Sequence, residues 1–239
     1  MQTSISKTNY LFDSIFGPTR NSSSTFLIND DKKINYADFH IMINQLANVL
    51  IQKGMKPGDR VAVQAEKSNT QIALYAATIK AGGVYLPLNT GYTTSELDYF
   101  IKDSSAKIII VDKNVENKIV NNLDANTVLL TLNSDETGSL TNLAYEQEFF
   151  FDTIERGPDD LAAILYTSGT TGKSKGAILS HQNLLSNTKV LKDYWKFTKE
   201  DVLLHMLPIY HTHGLFVASN LLAYVGGSMI FLPKFDIEQ

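Results

Sequence analysis

Residues Ile108, Ile109, Ile110 and Val111 form an unbroken run of β-branched side chains. Successive side chains of a strand point to opposite faces, so such a run buries both faces at once. That pattern belongs to an interior strand of a parallel sheet, covered by helices on both sides. The surrounding chain supplies the other layers. Strand-like runs at 25–28, 60–65 and 84–88 alternate with helix-like segments at 36–53 and 70–81. In the first helix Phe39, Met42, Ile43, Leu46, Ala47, Leu50 and Ile51 recur at helical spacing, and Gly54 stands just past its end. Lys56-Pro57-Gly58-Asp59 reads as a turn, Ser68 as the cap of the second helix, and Gly82-Gly83 as its stop. Thr93 and Glu96 have capping-box spacing and open a helix to about Lys102. A weaker helix and strand run to Leu132, and the polar stretch 133–139 reads as a surface loop. This alternation predicts an α/β fold with doubly wound sheets and right-handed crossovers.

Beyond Asp159, strands at 161–166 and 177–179 flank a glycine-rich segment. Ser180 caps a helix to about Tyr194, and strands at 202–207 and 228–232 flank an apolar helix at 215–225. Tyr194-Trp195 is expected in the core, and Lys80, Tyr85 and Pro87 in packing and turn roles. Pro233-Lys234-Phe235-Asp236 follows directly on a strand, so the chain is expected to stop inside a larger domain; a natural terminus docked on the sheet is the alternative.

Composition excludes several function classes. A net charge of −4 disfavours nucleic acid. The absence of cysteine rules out disulfides, zinc–thiolate sites and a cysteine nucleophile. The first ten residues lack an apolar signal-peptide core. The apolar stretch 215–225, interrupted by Ser219 and Asn220, falls short of the roughly 20 residues a membrane helix needs. The expectation is a cytoplasmic chain with no membrane insertion and no nucleic-acid partner.

The informative segment is Tyr166-Thr167-Ser168-Gly169-Thr170-Thr171-Gly172-Lys173-Ser174-Lys175-Gly176. Glycines let backbone N–H groups turn toward an anion, the hydroxyls add donors, and the two lysines add positive charge. No acidic residue interrupts it. A flexible linker seldom lies between two apolar strands this close together. A Walker-type loop needs a glycine where Thr167 stands, and must lead into a helix. Here Ala177-Ile178-Leu179 reads as a strand, so the segment looks like a glycine-tipped hairpin.

Thr167 to Gly172, followed by Lys175-Gly176, resembles the signature phosphate loop of the adenylate-forming superfamily, with Ser174 where proline is common. Leu207-Pro208-Ile209-Tyr210-His211-Thr212-His213-Gly214-Leu215-Phe216 resembles that superfamily's next motif. With Val217-Ala218-Ser219-Asn220 and the stretch from Gly227 to Asp236, the chain is most similar to the malonyl-CoA synthetases. The resemblance implies that residues 1–239 are part of the large adenylation domain. ATP and CoA would be co-substrates with a small carboxylate, and Mg2+ the metal. It assigns Thr167, Ser168, Gly169, Thr170, Thr171, Gly172, Lys173 and Lys175 to ATP phosphates, with Thr167 also contacting magnesium. His211 is matched to the acid substrate. A histidine pair can also hold a metal or cap a helix. His205 and His181 are expected to fill local structure, and His40 lies on a helix away from the motif. The family's catalytic lysine, its small C-terminal domain and a malonate-reading arginine are expected downstream of Gln239. That missing part of the enzyme is therefore a candidate partner, and the chain alone is expected to be inactive. Another carboxylic acid, a nucleotide-binding remnant and an unrelated NTPase are the alternatives.

Overall fold

A computed structural model describes residues 8–29, 32–167 and 174–235. It opens with α1 (Tyr10–Ile15), whose cap Asn9 is fully buried. The Asn9 amide donates to the carbonyls of Ile79 (2.8 Å) and Ile154 (3.0 Å), and its oxygen accepts from Phe12 N (3.1 Å). Asn9 thus ties three distant segments together. At about 1 kcal/mol per bond, Asn9→Ala is expected to cost about 2–4 kcal/mol. A urea unfolding curve that moves by less than about 1 kcal/mol would contradict that role.

Then come β1 (Thr25–Asn29), β2 (Lys32–Asn35) and α2 (Tyr36–Gln52). Next are β3 (Arg60–Gln64), α3 (Asn69–Lys80), β4 (Val84–Pro87), α4 (Thr94–Ser104) and β5 (Ile108–Val111). After α5 (Lys113–Ile119), β6 (Val128–Thr131) and α6 (Ser139–Tyr145), the chain forms β7 (Leu161–Thr167), β8 (Lys175–Ser180) and α7 (His181–Trp195). It continues through β9 (Val202–His205), a π-helical segment (His213–Ser219), α8 (Asn220–Val225) and β10 (Ser228–Phe231).

Two sheets result. One has the order β6-β5-β3-β4-β7-β8, parallel except for the antiparallel edge pair β7–β8. The other has the order β2-β1-β10-β9, parallel except for β1–β2. The Ile108–Val111 run is fully buried inside the first sheet. Ser68 caps α3, and Thr93 and Glu96 form the expected capping box. Every residue of α3 is buried, which requires packing on all sides; Tyr75 meets Tyr85 of β4 at 5.4 Å and Phe216 of the π-helical segment at 5.5 Å.

Some expectations need correction. Ile51 is not a core residue of α2; it is 38% exposed. Tyr194 is 81% and Trp195 48% exposed, because α7 buries Leu184, Leu185 and Thr188 and Tyr194 falls on the opposite side. Ser139, placed in a loop, begins α6 instead. The apolar stretch 215–225 is not one regular helix: its first part is π-helical. Among the described residues, no helix is long and apolar enough to cross a membrane.

Candidate functional site

The parallel strands β3, β4, β9 and β10 end at Gln64, Pro87, His205 and Phe231. The segments leaving those ends line one cavity of about 260 Å3, which includes Lys67, Gln71, Thr90, Tyr210 and Phe235. Carboxyl ends of parallel strands are where open α/β sheets bind ligands. β7 runs parallel to β4, so the glycine-rich loop leaves from the same edge of its sheet. A bigger depression of about 1020 Å3, lined by Asp13, Arg20, Phe151 and Asp152, contains none of the residues the sequence singles out.

The hairpin reading is correct. β7 and β8 are antiparallel, with Thr167 opposite Lys175 and Tyr166 opposite Gly176. A strand, not a helix, follows the loop, which contradicts a Walker geometry. A Cβ on Gly176 would sit 3.0 Å from Ile164 Cγ2 and 3.5 Å from Tyr166 Cζ, so glycine leaves room for the tyrosine ring. That ring packs on Phe100 of α4 at 4.4 Å, and its hydroxyl donates to Asp103 Oδ2 at 2.6 Å. Burial and the Asp103 carboxylate push the Tyr166 phenol well above its ordinary range. Tyr99 donates to the Ser174 carbonyl at 3.0 Å. The stem is therefore anchored on α4. Thr167 and Lys175 are exposed at its mouth. Ser168, Gly169, Thr170, Thr171, Gly172 and Lys173 lie outside the described residues.

His211 and His213 are exposed. The His211 ring meets Tyr210 edge-on at 4.7 Å, and it is Tyr210, not His211, that lines the cavity. The helix-cap reading fails: the cap residue is Thr212, and no side chain makes a capping bond there. Among the described residues no three His, Asp or Glu side chains form a metal-binding group. A magnesium ion is commonly held by one or two carboxylates together with waters and substrate phosphates, and in phosphate loops a Ser/Thr hydroxyl can supply one of its oxygens. The exposed Thr167 hydroxyl, at the loop's mouth, fits such a part.

Sequence reasoning overlooked Lys67 and Ser219. The Lys67 ammonium donates to His205 Nδ1 (2.8 Å) and to the His205 carbonyl (2.7 Å). It also lies 4.2 Å over the Phe231 ring. The other His205 nitrogen, Nε2, donates to the Gly214 carbonyl at 2.8 Å, which fixes the neutral tautomer. Ser219 Oγ donates to the same carbonyl at 2.9 Å. Burial lowers Lys67 to about 7, and burial, reinforced by Lys67, lowers His205 to about 4. The usable signal for Lys67 was its place just after a strand's carboxyl end.

The AMP-binding enzyme family matches residues 18–239. The chain belongs to that family. AMP-binding enzymes of this kind form acyl-adenylates, and the two-sheet α/β architecture matches their N-terminal domain. Gramicidin S synthase 2 from Brevibacillus brevis is 31% identical over 205 residues, 86% of this chain and 4% of the relative. The malonate–CoA ligase of Xenopus laevis is 28% identical over 223 residues, 90% of this chain and 38% of the relative. The apo structure of MatB from Rhodopseudomonas palustris is 51% identical, with a TM-score of 0.92 over 95% of this chain and 46% of MatB. Its ATP-bound form superposes equally well, at 52% identity. The chain thus spans less than half the length of each of these AMP-binding relatives.

Proposed function

We propose that this chain is the phosphate-loop and acid-motif portion of a malonyl-CoA synthetase. The observation that carries the reading is its 51% identity to MatB over 95% of the chain. Residues 1–239 are then part of the adenylation domain, and the small C-terminal domain is not among them. In the first half-reaction a malonate oxygen attacks the α-phosphorus of ATP and pyrophosphate leaves. The CoA thiol sulfur then attacks the acyl carbon of malonyl-AMP and AMP leaves. Malonate, ATP and CoA are the partners of this reading, and the cytoplasm its compartment.

The chain's own part is electrostatic. Thr170, Thr171, Gly172 and Lys175 hold the β- and γ-phosphates, with Ser168, Gly169 and Lys173 completing the loop, so that charge on departing pyrophosphate meets hydroxyl, amide and ammonium donors. The hairpin stem that carries the loop is fixed on α4 by Tyr99 and Asp103. His211 donates a hydrogen bond to the acid. Thr167 would contribute one oxygen to magnesium, which when bound neutralises phosphate charge.

Replacing the corresponding stretch of MatB with this chain tests the reading by ATP–pyrophosphate exchange. Malonate is expected to support exchange at least tenfold above acetate and octanoate. Exchange favouring octanoate would overturn the malonate assignment. ATP binding without exchange for any acid would overturn the ligase assignment.

A second test needs only the chain. A charge-assisted hydrogen bond contributes about 1.5–3 kcal/mol. Lys175→Ala is therefore expected to weaken ATP binding by roughly tenfold to a hundredfold while AMP binding changes less than about twofold. Calorimetric titration with both nucleotides reads this directly, and equal losses would remove Lys175 from the leaving phosphates.

A further inference from the structure

The segment 206–213 carries Tyr210 and His211 and has no regular structure of its own until the π-helical turn begins. Its two ends converge on one buried polar cluster. At the entry, His205 ends β9 and is 1% exposed. At the exit, the Gly214 carbonyl accepts from both His205 Nε2 and Ser219 Oγ. The cluster is closed from outside the segment by Lys67, which lies between β3 and α3 and bonds both the ring and the carbonyl of His205. We propose that Lys67 is a positioning residue for the His211 segment, holding its entry through His205 and its exit through the His205–Gly214 bond.

The chemistry suits a clamp. An ammonium has several donors and no acceptor. It can hold a ring nitrogen and a carbonyl together only if that nitrogen is unprotonated, which the His205 tautomer provides. Lys67 is half-buried and His205 is buried, and a polar group withdrawn from water is costly to leave without its partner, so the three groups settle in one arrangement. Phe231, at the end of β10 and paired in register with His205, gives the cation an aromatic floor. Any role for Lys67 in acid binding rests on the reading of His211 above; its hold on the segment does not.

The test is amide hydrogen exchange on the whole chain and its Lys67→Met and Lys67→Arg variants. Lys67→Met is expected to speed exchange across 206–213 at least tenfold, leave α2 and β5 within twofold, and be largely reversed by Lys67→Arg. Exchange in 206–213 within twofold of wild type would overturn the clamp. If Lys67→Met unfolds the chain, nitrogen-15 spectra of the wild type decide: His205 must carry its proton on Nε2, and a protonated Nδ1 overturns the proposal. A malonate titration followed at His211 separates the two readings, with a tenfold weaker Kd expected in Lys67→Met. Failure of the wild type to bind malonate, with the exchange difference intact, would remove the acid role of His211 and leave the clamp standing.

Discussion

Lowering the pH from 7.5 to 4.5 is expected to remove most of the folding stability of this chain. Burial lowers the side chains of His40, His181 and His205 from 6.5 to about 4 each. Their exposures are 3%, 0% and 1%, so solvent screening offers little relief. Each is also locked into a neutral hydrogen-bonding role. His40 Nε2 donates to Phe16 O at 3.0 Å while its Nδ1 is buried without a partner. His181 Nδ1 accepts from Leu11 N at 3.3 Å, and its Nε2 is likewise unpartnered. His205 Nδ1 accepts from Lys67. A second ring proton therefore lands on a nitrogen with no acceptor, or against a donor.

The sign follows from linkage. Between pH 6.5 and about 4 the unfolded chain binds protons that the folded chain refuses, so stability is full above 6.5 and falls toward 4. Each residue contributes about 3 kcal/mol, and the three together on the order of 10 kcal/mol. That is comparable to the whole stability of a typical domain, about 5–15 kcal/mol. Lys67 and Lys80, lowered by burial to about 7 and about 8, add stability as pH rises from those values toward 10.5. The stability maximum is thus expected on the alkaline side. Urea unfolding followed by circular dichroism at several pH values checks this. The steepest slope should approach about 4 kcal/mol per pH unit, and His40→Gln should lower it by about a third. A flat profile between pH 7 and 4.5 would show that these rings titrate freely.

What the sequence made legible is local. The β5 run, the Ser68 cap, the Thr93–Glu96 box and the hairpin nature of the loop each depend on residues a few positions apart. The phosphate reading of the glycine-rich loop rests on composition within one short stretch, and its residues 168–173 lie outside the described residues. What stayed hidden depends on distant partners. α1 is short and is held by an asparagine whose carbonyl partners lie 70 and 145 residues away. α6 begins at Ser139, and its cap residue Gly138 offers no side-chain bond. Lys67 finds His205 138 residues later, a pairing no periodicity reveals. Tyr194 misled because an aromatic pair suggests a core, whereas its helical position faces solvent.

The same contrast explains why residues 213–219 are π-helical, and leads to the other large effect, at Gly214. The apolar stretch by itself favours an ordinary helix. In the fold, the Gly214 carbonyl is held by His205 and Ser219. Regular hydrogen bonding is displaced there, as in the π-bulges found at functional positions. The turn also brings the chain so close to itself that a Cβ on Gly214 would lie 2.2 Å from Pro208 O and 2.9 Å from Pro208 C. Both obstacles are backbone, so no rotamer change relieves them. Gly214→Ala must push the stretch 206–212 away from the π-helical turn, loosening the His205 and Ser219 bonds as it does so. Overpacking of this kind costs about 1–3 kcal/mol, and the two weakened bonds about 1 kcal/mol each, so a loss of about 3–5 kcal/mol is expected. Gly58→Ala is the control: its φ is +88° but nothing lies within 4 Å, so it should cost only about 1 kcal/mol of backbone strain. Urea unfolding of the two variants separates contact from conformation. Equal losses would mean that Gly214 is needed for its flexibility rather than for the close passage of Pro208, and the segment carrying Tyr210 and His211 would then be less tightly held than its bonds imply.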